Sequence, residues 1–144
     1  MTGASMDVVV LIGRILFAVL FLGSGIAHVT QRQMMAGYAA SKKVPAAGAA
    51  VPASGVLIVI GALMVAVGVW PDLGALLLAA FLVPTAVLMH GFWAETEAAA
   101  RMTEQTQFLK DLALAGAALV MFGLFAQLGD DLGLVVVGPL FELS

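Results

Sequence analysis

Four long apolar runs, Val8–Ala27, Pro52–Trp70, Leu73–Phe92 and Phe108–Leu128, occupy most of this chain, and each is close to the roughly 20 residues a helix needs to cross a bilayer core. A backbone in hydrocarbon must satisfy its own hydrogen bonds, so such runs are either helices or strands of a closed barrel. Continuous apolar stretches without period-two alternation exclude the barrel. The expected fold is all-α, a four-transmembrane-helix antiparallel bundle forming a single membrane domain. Its spans fall at about 8–28, 52–70, 73–93 and 97–128, with a surface segment at 29–51 and a C-terminal tail at 129–144. Charged residues make up only 10% of the chain, against about 25% in a soluble domain, so a water-soluble fold is not an alternative.

The absence of cysteine removes thiol–disulfide exchange from the chemistry this chain can perform alone. The net charge is −3, with Asp7, Asp130, Asp131 and Glu142 on the tails, and this argues against a nucleic-acid partner. Once four spans are subtracted, one loop and two short tails remain, so any chemistry is expected inside the bundle. Met1–Asp7 lacks the basic start of a secretory signal, and the first run reads as a retained helix. Arg32, Lys42 and Lys43 lie in the first loop, and Arg101 and Lys110 lie around the start of the fourth run. The positive-inside rule then places both of these regions in the cytoplasm and both termini on the extracytoplasmic side.

Along the chain, Asp7 is the expected N-cap of the first helix, and Gly23, Gly25 and Ala27 form a small-residue patch near its end. The mixed apolar and basic segment from Met35 to Pro45 suits a short helix on the membrane surface, punctuated by Pro45 and Pro52. Ser54, Gly61 and Gly68 recur every seven residues, a seam for close packing. Asp72 follows Pro71 as the expected cap of the third helix, and Trp70 and Trp93 mark opposite interfaces. Pro84 leaves the carbonyl of Ala80 without its helical donor, which predicts a kink. Glu97 and Arg101 form an i, i+4 pair that begins the fourth helix ahead of the membrane. Gly116 and Gly123 offer another seam, Gly129 a C-cap, and Leu132–Val137 a run too short to span, expected to lie on the membrane or a partner.

Alternating topology brings His28, His90, Trp93, Glu95, Lys110 and Asp111 to one end of the bundle. Ionisable groups near hydrocarbon pair or face a cavity. One reading of this cluster is therefore anchoring and helix-to-helix pairing. Another is a site for a quinone, whose carbonyl oxygen a histidine can bond while Trp93 and Phe92 line the ring. Two histidines on different helices also raise bis-His ligation of haem b, the weakest of these readings. No metal site is expected: His28, His90 and Glu95 lack a tight ligand spacing, and Met34 and Met35 are adjacent rather than on one helical face. Arg14 lies about 9 Å into the first helix. It is expected to snorkel outward or to bind carbonyls at the ends of neighbouring helices, with neutralisation of an anionic head group on the outer side as the functional alternative.

Several phrases together resemble the DoxX family of small four-helix bacterial membrane proteins. They are Leu11-Ile-Gly-Arg14-Ile-Leu-Phe17 continuing to Phe21-Leu-Gly-Ser-Gly25, Gly37-Tyr-Ala-Ala-Ser-Lys42 with Val44-Pro45, His90-Gly-Phe-Trp93, and Gln107-Phe-Leu-Lys110-Asp-Leu-Ala-Leu-Ala-Gly116. Where family members often carry Asn after the lysine of the last motif, this chain has Asp111, and His28 stands where many relatives have Lys. The resemblance implies a bacterial plasma membrane location and a link to quinone-dependent oxidation or membrane oxidoreductase assemblies, and it fixes no catalytic residue. With so few redox-capable groups, the chain reads as an accessory, non-catalytic subunit of a quinone-linked complex, acting through protein partners or as a homo-oligomer. The alternatives are a small lipid- or metabolite-binding or transporting module and a purely structural assembly factor.

Overall fold

All four apolar runs become helices in the computed structural model, which describes residues 3–141. These are α1 (Gly3–Thr30), α3 (Ala47–Val67), α4 (Pro71–Met89) and α5 (Ala98–Leu128), with the short α2 (Arg32–Ser41) between the first two spans. The four long helices have the length and apolarity to cross a membrane. Their outward faces carry exposed large aliphatic residues such as Leu16, Val19, Val56, Leu63, Val83 and Val120. In water such a surface would be a liability, whereas against lipid tails it is the matching solvent.

Close packing runs from α1 to α3, α3 to α4 and α4 to α5, with α2 laid against α3. Ala18, Phe21, Ile58, Ala62, Val65, Leu78, Leu82 and Ala115 form the shared core. Two glycine pairs allow the closest approaches. A Cβ placed on Gly25 would lie 2.8 Å from the Gly55 carbonyl oxygen, and one on Gly74 would lie 2.8 Å from that of Gly61. Between helices in lipid, where burial from water gives no driving force, such contacts let backbones pack tightly. The real seams therefore involve Gly25, Gly55, Gly61 and Gly74. Of the expected Ser54, Gly61 and Gly68 series, only Gly61 takes part: Ser54 bonds back to the Val51 carbonyl, and Gly68 is the left-handed C-cap of α3. Gly116, Gly123 and Gly23 face open space.

Several boundaries shift for local reasons. α1 begins at Gly3, so Asp7 sits inside the helix and is not its cap. α3 begins at Ala47, upstream of Pro52, which is the sixth residue of the helix and supplies no N–H to the Gly48 carbonyl. α4 ends at Met89, and a single 3₁₀ turn, Phe92–Ala94, replaces its expected last turn. The Glu97 carboxylate accepts the Ala100 amide at 2.8 Å, capping α5 rather than pairing with Arg101. At 31 residues, or about 46 Å, α5 is longer than a hydrocarbon core of about 30 Å, and it starts at Ala98, well ahead of its apolar run. Gly129 is its C-cap.

The tail behaves differently from its expected role on the membrane or a partner: it folds across the α3–α4 turn. The Gly68 carbonyl accepts the Val136 and Val137 amides at 2.8 and 3.0 Å, and the Val137 carbonyl accepts the Trp70 amide at 3.2 Å. Asp72, fully buried, is not the N-cap of α4; Trp70 holds that place. Its Oδ2 instead accepts the Leu140 and Phe141 amides at 2.8 and 2.7 Å. Orphan backbone groups at a helix end are thus satisfied by the tail, and the tail's own amides by a side chain. Glu142 and the side chain of Asp130, two of the expected tail charges, lie outside the described residues.

Candidate functional site

At the end opposite the tail, the chain leaves α4 through His90 and turns sharply into α5. Phe92, Trp93 and Phe108 pack edge to face, with ring centroids 5.2–5.6 Å apart, and this aromatic knot fixes the turn. His90 is the C-cap of α4, and its imidazole lies between two acids of α5. Nδ1 is 2.7 Å from Glu104 Oε2, and Nε2 is 3.8 Å from Asp111 Oδ2. Glu104 and Asp111 are seven residues apart and so share one face of the helix. Asp111 is buried at 5% exposure, while Lys110 beside it is half exposed and donates to Gln107.

The short helix α2 closes over this cluster. Tyr38 and Lys42, one turn apart, point the same way. The Tyr38 hydroxyl donates to Glu104 Oε1 at 3.2 Å, and the Lys42 ammonium donates to Glu95 at 2.8 Å and to Glu104 at 3.5 Å. Glu104 is therefore the hub that ties α2, the end of α4 and α5 together. Burial first, and then the Glu104 charge, push the Tyr38 phenol above its usual range. The hydrogen bond to Glu95 is the main reason the Lys42 ammonium is also raised. Around neutrality Tyr38 is thus a neutral donor and Lys42 a charged one.

Beneath α2 lies a cavity of about 590 Å³, within the range of small-molecule sites. Met34, Met35 and Val44 roof it, Val51 and Leu57 of α3 form one wall, and Phe81, Pro84 and Leu88 of α4 form the other. Pro84 leaves the Ala80 carbonyl without a helical donor beside this wall, and the Thr85 hydroxyl bonds the next carbonyl, that of Phe81, at 2.8 Å. A second cavity of about 260 Å³ lies between α1, α4 and α5 and is lined by Ser24, His90, Lys110 and Asp111. The two share His28, Met35, Tyr38, Phe81, Thr85 and Met89 as lining. An apolar chamber therefore adjoins a smaller one with a polar rim.

Four of the expected site residues meet here. His90, Lys110 and Asp111 form the rim, and His28 borders both cavities, its Nδ1 2.8 Å from the Ser24 carbonyl oxygen and its ring edge-on to Phe81. Trp93 faces outward at 55% exposure and lines neither cavity, and Phe92 is held in the knot beside it. Arg14 is at the far end, only 2% exposed, so it does not snorkel. It donates to the carbonyls of Val65 at 2.8 Å, Ala66 at 3.0 Å and Leu134 at 2.7 Å, with its guanidinium 5.8 Å from the Phe125 ring centroid. The carbonyl-binding alternative is the one observed. Sequence reasoning missed Glu104, although its heptad spacing from Asp111 was a usable signal, and it missed the partnership of Tyr38 and Lys42 with that residue.

Comparison with known proteins gives one positive result: the DoxX family model matches residues 9–91. Neither curated proteins nor solved structures yield a match. The matched region contains most of α1 and the whole of α2, α3 and α4, and hence the walls of the larger cavity with His28, and also His90 of the smaller one. The family match covers more than half of the chain and coincides with three of its four apolar spans, and this protein belongs to the DoxX family of membrane proteins.

Proposed function

We propose that this protein is a membrane subunit that holds a quinone-type ligand in support of a membrane oxidoreductase complex. The observation that carries this reading is the pair of adjoining cavities. The larger accepts an apolar tail, and the smaller presents imidazole and carboxyl groups to a ring oxygen. A histidine N–H or a protonated carboxyl can donate to a quinone carbonyl, and the apolar walls supply most of the affinity. Electrons would pass through a partner, because the chain has no cysteine and the chemistry of such a site belongs to the bound ring. Arg32, Lys42, Lys43, Arg101 and Lys110 lie at the α2 end, which supports a bacterial plasma membrane orientation with that end cytoplasmic and both termini outside.

Purification from native membranes in mild detergent, followed by mass spectrometry of bound lipids and copurifying proteins, tests the proposal. A quinone and a redox partner are expected, together with a rise in thermal stability on adding a quinone analogue. If no redox protein copurifies and quinone analogues change neither stability nor partner activity, the proposal fails. The sparse polar lining of the larger cavity, confined to His28, Tyr38, Ser54 and Thr85, favours a second reading: a lipid-binding or lipid-moving module. A liposome transfer assay separates the two.

A further inference from the structure

Resting on the quinone reading, we infer that Glu104, His90 and Asp111 form a proton path from the aqueous rim to the smaller cavity, and that Asp111 takes up or releases a proton through it according to whether a quinone or a hydroquinone is bound. The His90 imidazole meets Glu104 through one ring nitrogen and faces Asp111 with the other. Glu104 is at the rim with the part-exposed Lys42, and Asp111 is buried and lines the cavity. The imidazole between them is bonded to one carboxylate at 2.7 Å and lies 3.8 Å from the other. An imidazole takes up a proton on one nitrogen while releasing one from the other, so it can pass protons between two carboxyl groups without a net change in its own state. The remaining ionisable groups facing the cavity are Lys110 of α5, Tyr38 of α2 and His28 of α1. Lys110 donates to Gln107 and also stands 3.9 Å from Asp111 Oδ1, Tyr38 donates to Glu104, and His28 is bonded to Ser24, so Asp111 is the carboxyl that lines the cavity, with its two charged neighbours, His90 and Lys110, both beyond hydrogen-bond distance.

The sign of the effect follows from hydrogen-bond chemistry. A quinone oxygen only accepts, so it favours Asp111 in its protonated form, and its arrival draws one proton from water through Glu104 and His90 onto the Asp111 carboxylate. A hydroquinone hydroxyl donates, so it favours the carboxylate, and its arrival releases that proton along the same path. No electron moves in either step. Quinone affinity therefore falls with rising pH and hydroquinone affinity rises, by up to about tenfold per pH unit across the Asp111 titration.

The test uses the full-length protein in lipid nanodiscs with a short-chain benzoquinone and its hydroquinone kept under reductant. Binding is followed by calorimetry in buffers of different ionisation enthalpy, and proton uptake by stopped flow with a pH indicator. Opposed pH dependences in the parent, abolished in Asp111→Asn, are expected. Glu104→Gln, at a residue that lines neither cavity, should leave both equilibria close to the parent but slow proton uptake roughly a hundredfold, a readout that a merely structural role would not move. If both probes bind with the same pH dependence, or if Asp111→Asn keeps the opposition, the proton path is wrong while the quinone reading stands. If neither probe binds the parent, both fall.

Discussion

Both ends of the bundle bury ionisable side chains, and they use them in opposite ways. At the tail end, Arg14 and Asp72 bond backbone: three carbonyls for the guanidinium and two amides for the carboxylate. Among the described residues, the hydrogen-bond partners of both are backbone groups that do not titrate, so this end is a clamp. At the α2 end, His90, Glu104, Asp111, Lys42 and Tyr38 bond mostly one another, beside two cavities. Partners that titrate can exchange protons and rearrange. Burial of a charge in a membrane bundle thus says less about function than the kind of partner it has found.

The contrast can be broken most severely at the clamp. Arg14→Leu strands carbonyls of α3 and releases the tail, and it should cost on the order of 3 kcal/mol in denaturant-titrated unfolding. Normal stability in this variant would show that Arg14 does not hold the tail. Asp72→Ala should cost about 2 kcal/mol, with faster amide hydrogen exchange at Leu140 and Phe141 and unaltered exchange in α2. Spread of that effect to α2 would mean that the two ends are coupled.

At the other end, Ala80→Leu narrows the larger cavity. It should weaken quinone-analogue binding by roughly tenfold, about 1.4 kcal/mol, while leaving unfolding nearly unchanged. The smallest effect belongs to Lys42→Ala, which removes part-exposed ion pairs worth about 0.5 kcal/mol. Its pH dependence has a definite sign. Because pairing with Glu95 raises the Lys42 ammonium above the ordinary value of 10.5, the contribution is complete below that value and is lost as pH rises through the higher folded one. Exchange protection of α2 should therefore fall only in strong alkali, and by less in the variant, where the remaining loss comes from ionisation of Tyr38 beside Glu104.

How far the sequence could be read depended on the range of the interaction. The turn at Trp70–Pro71, the C-cap at Gly129, the short helix between the first two spans and the start of α5 ahead of its apolar run were all legible, since each rests on a few neighbouring residues. The seams were not. Gly61 was chosen by spacing with Ser54 and Gly68, but its true counterpart is Gly74 across a helix pair. Trp93 was placed against a ligand because it is aromatic and near His90, whereas the 3₁₀ turn points it at Phe92 and Phe108.

By itself, the sequence determined that this chain crosses a membrane as four antiparallel helices, because hydrocarbon imposes demands of length, apolarity and internal hydrogen bonding that each segment meets alone. Only the tertiary structure decided which buried charge became a clamp and which became part of a site. Arg14 finds Leu134 at a separation of 120 residues and Tyr38 finds Glu104 at 66. Such meetings depend on the rotation of each helix about its axis and on the path of the tail, neither of which any local pattern encodes.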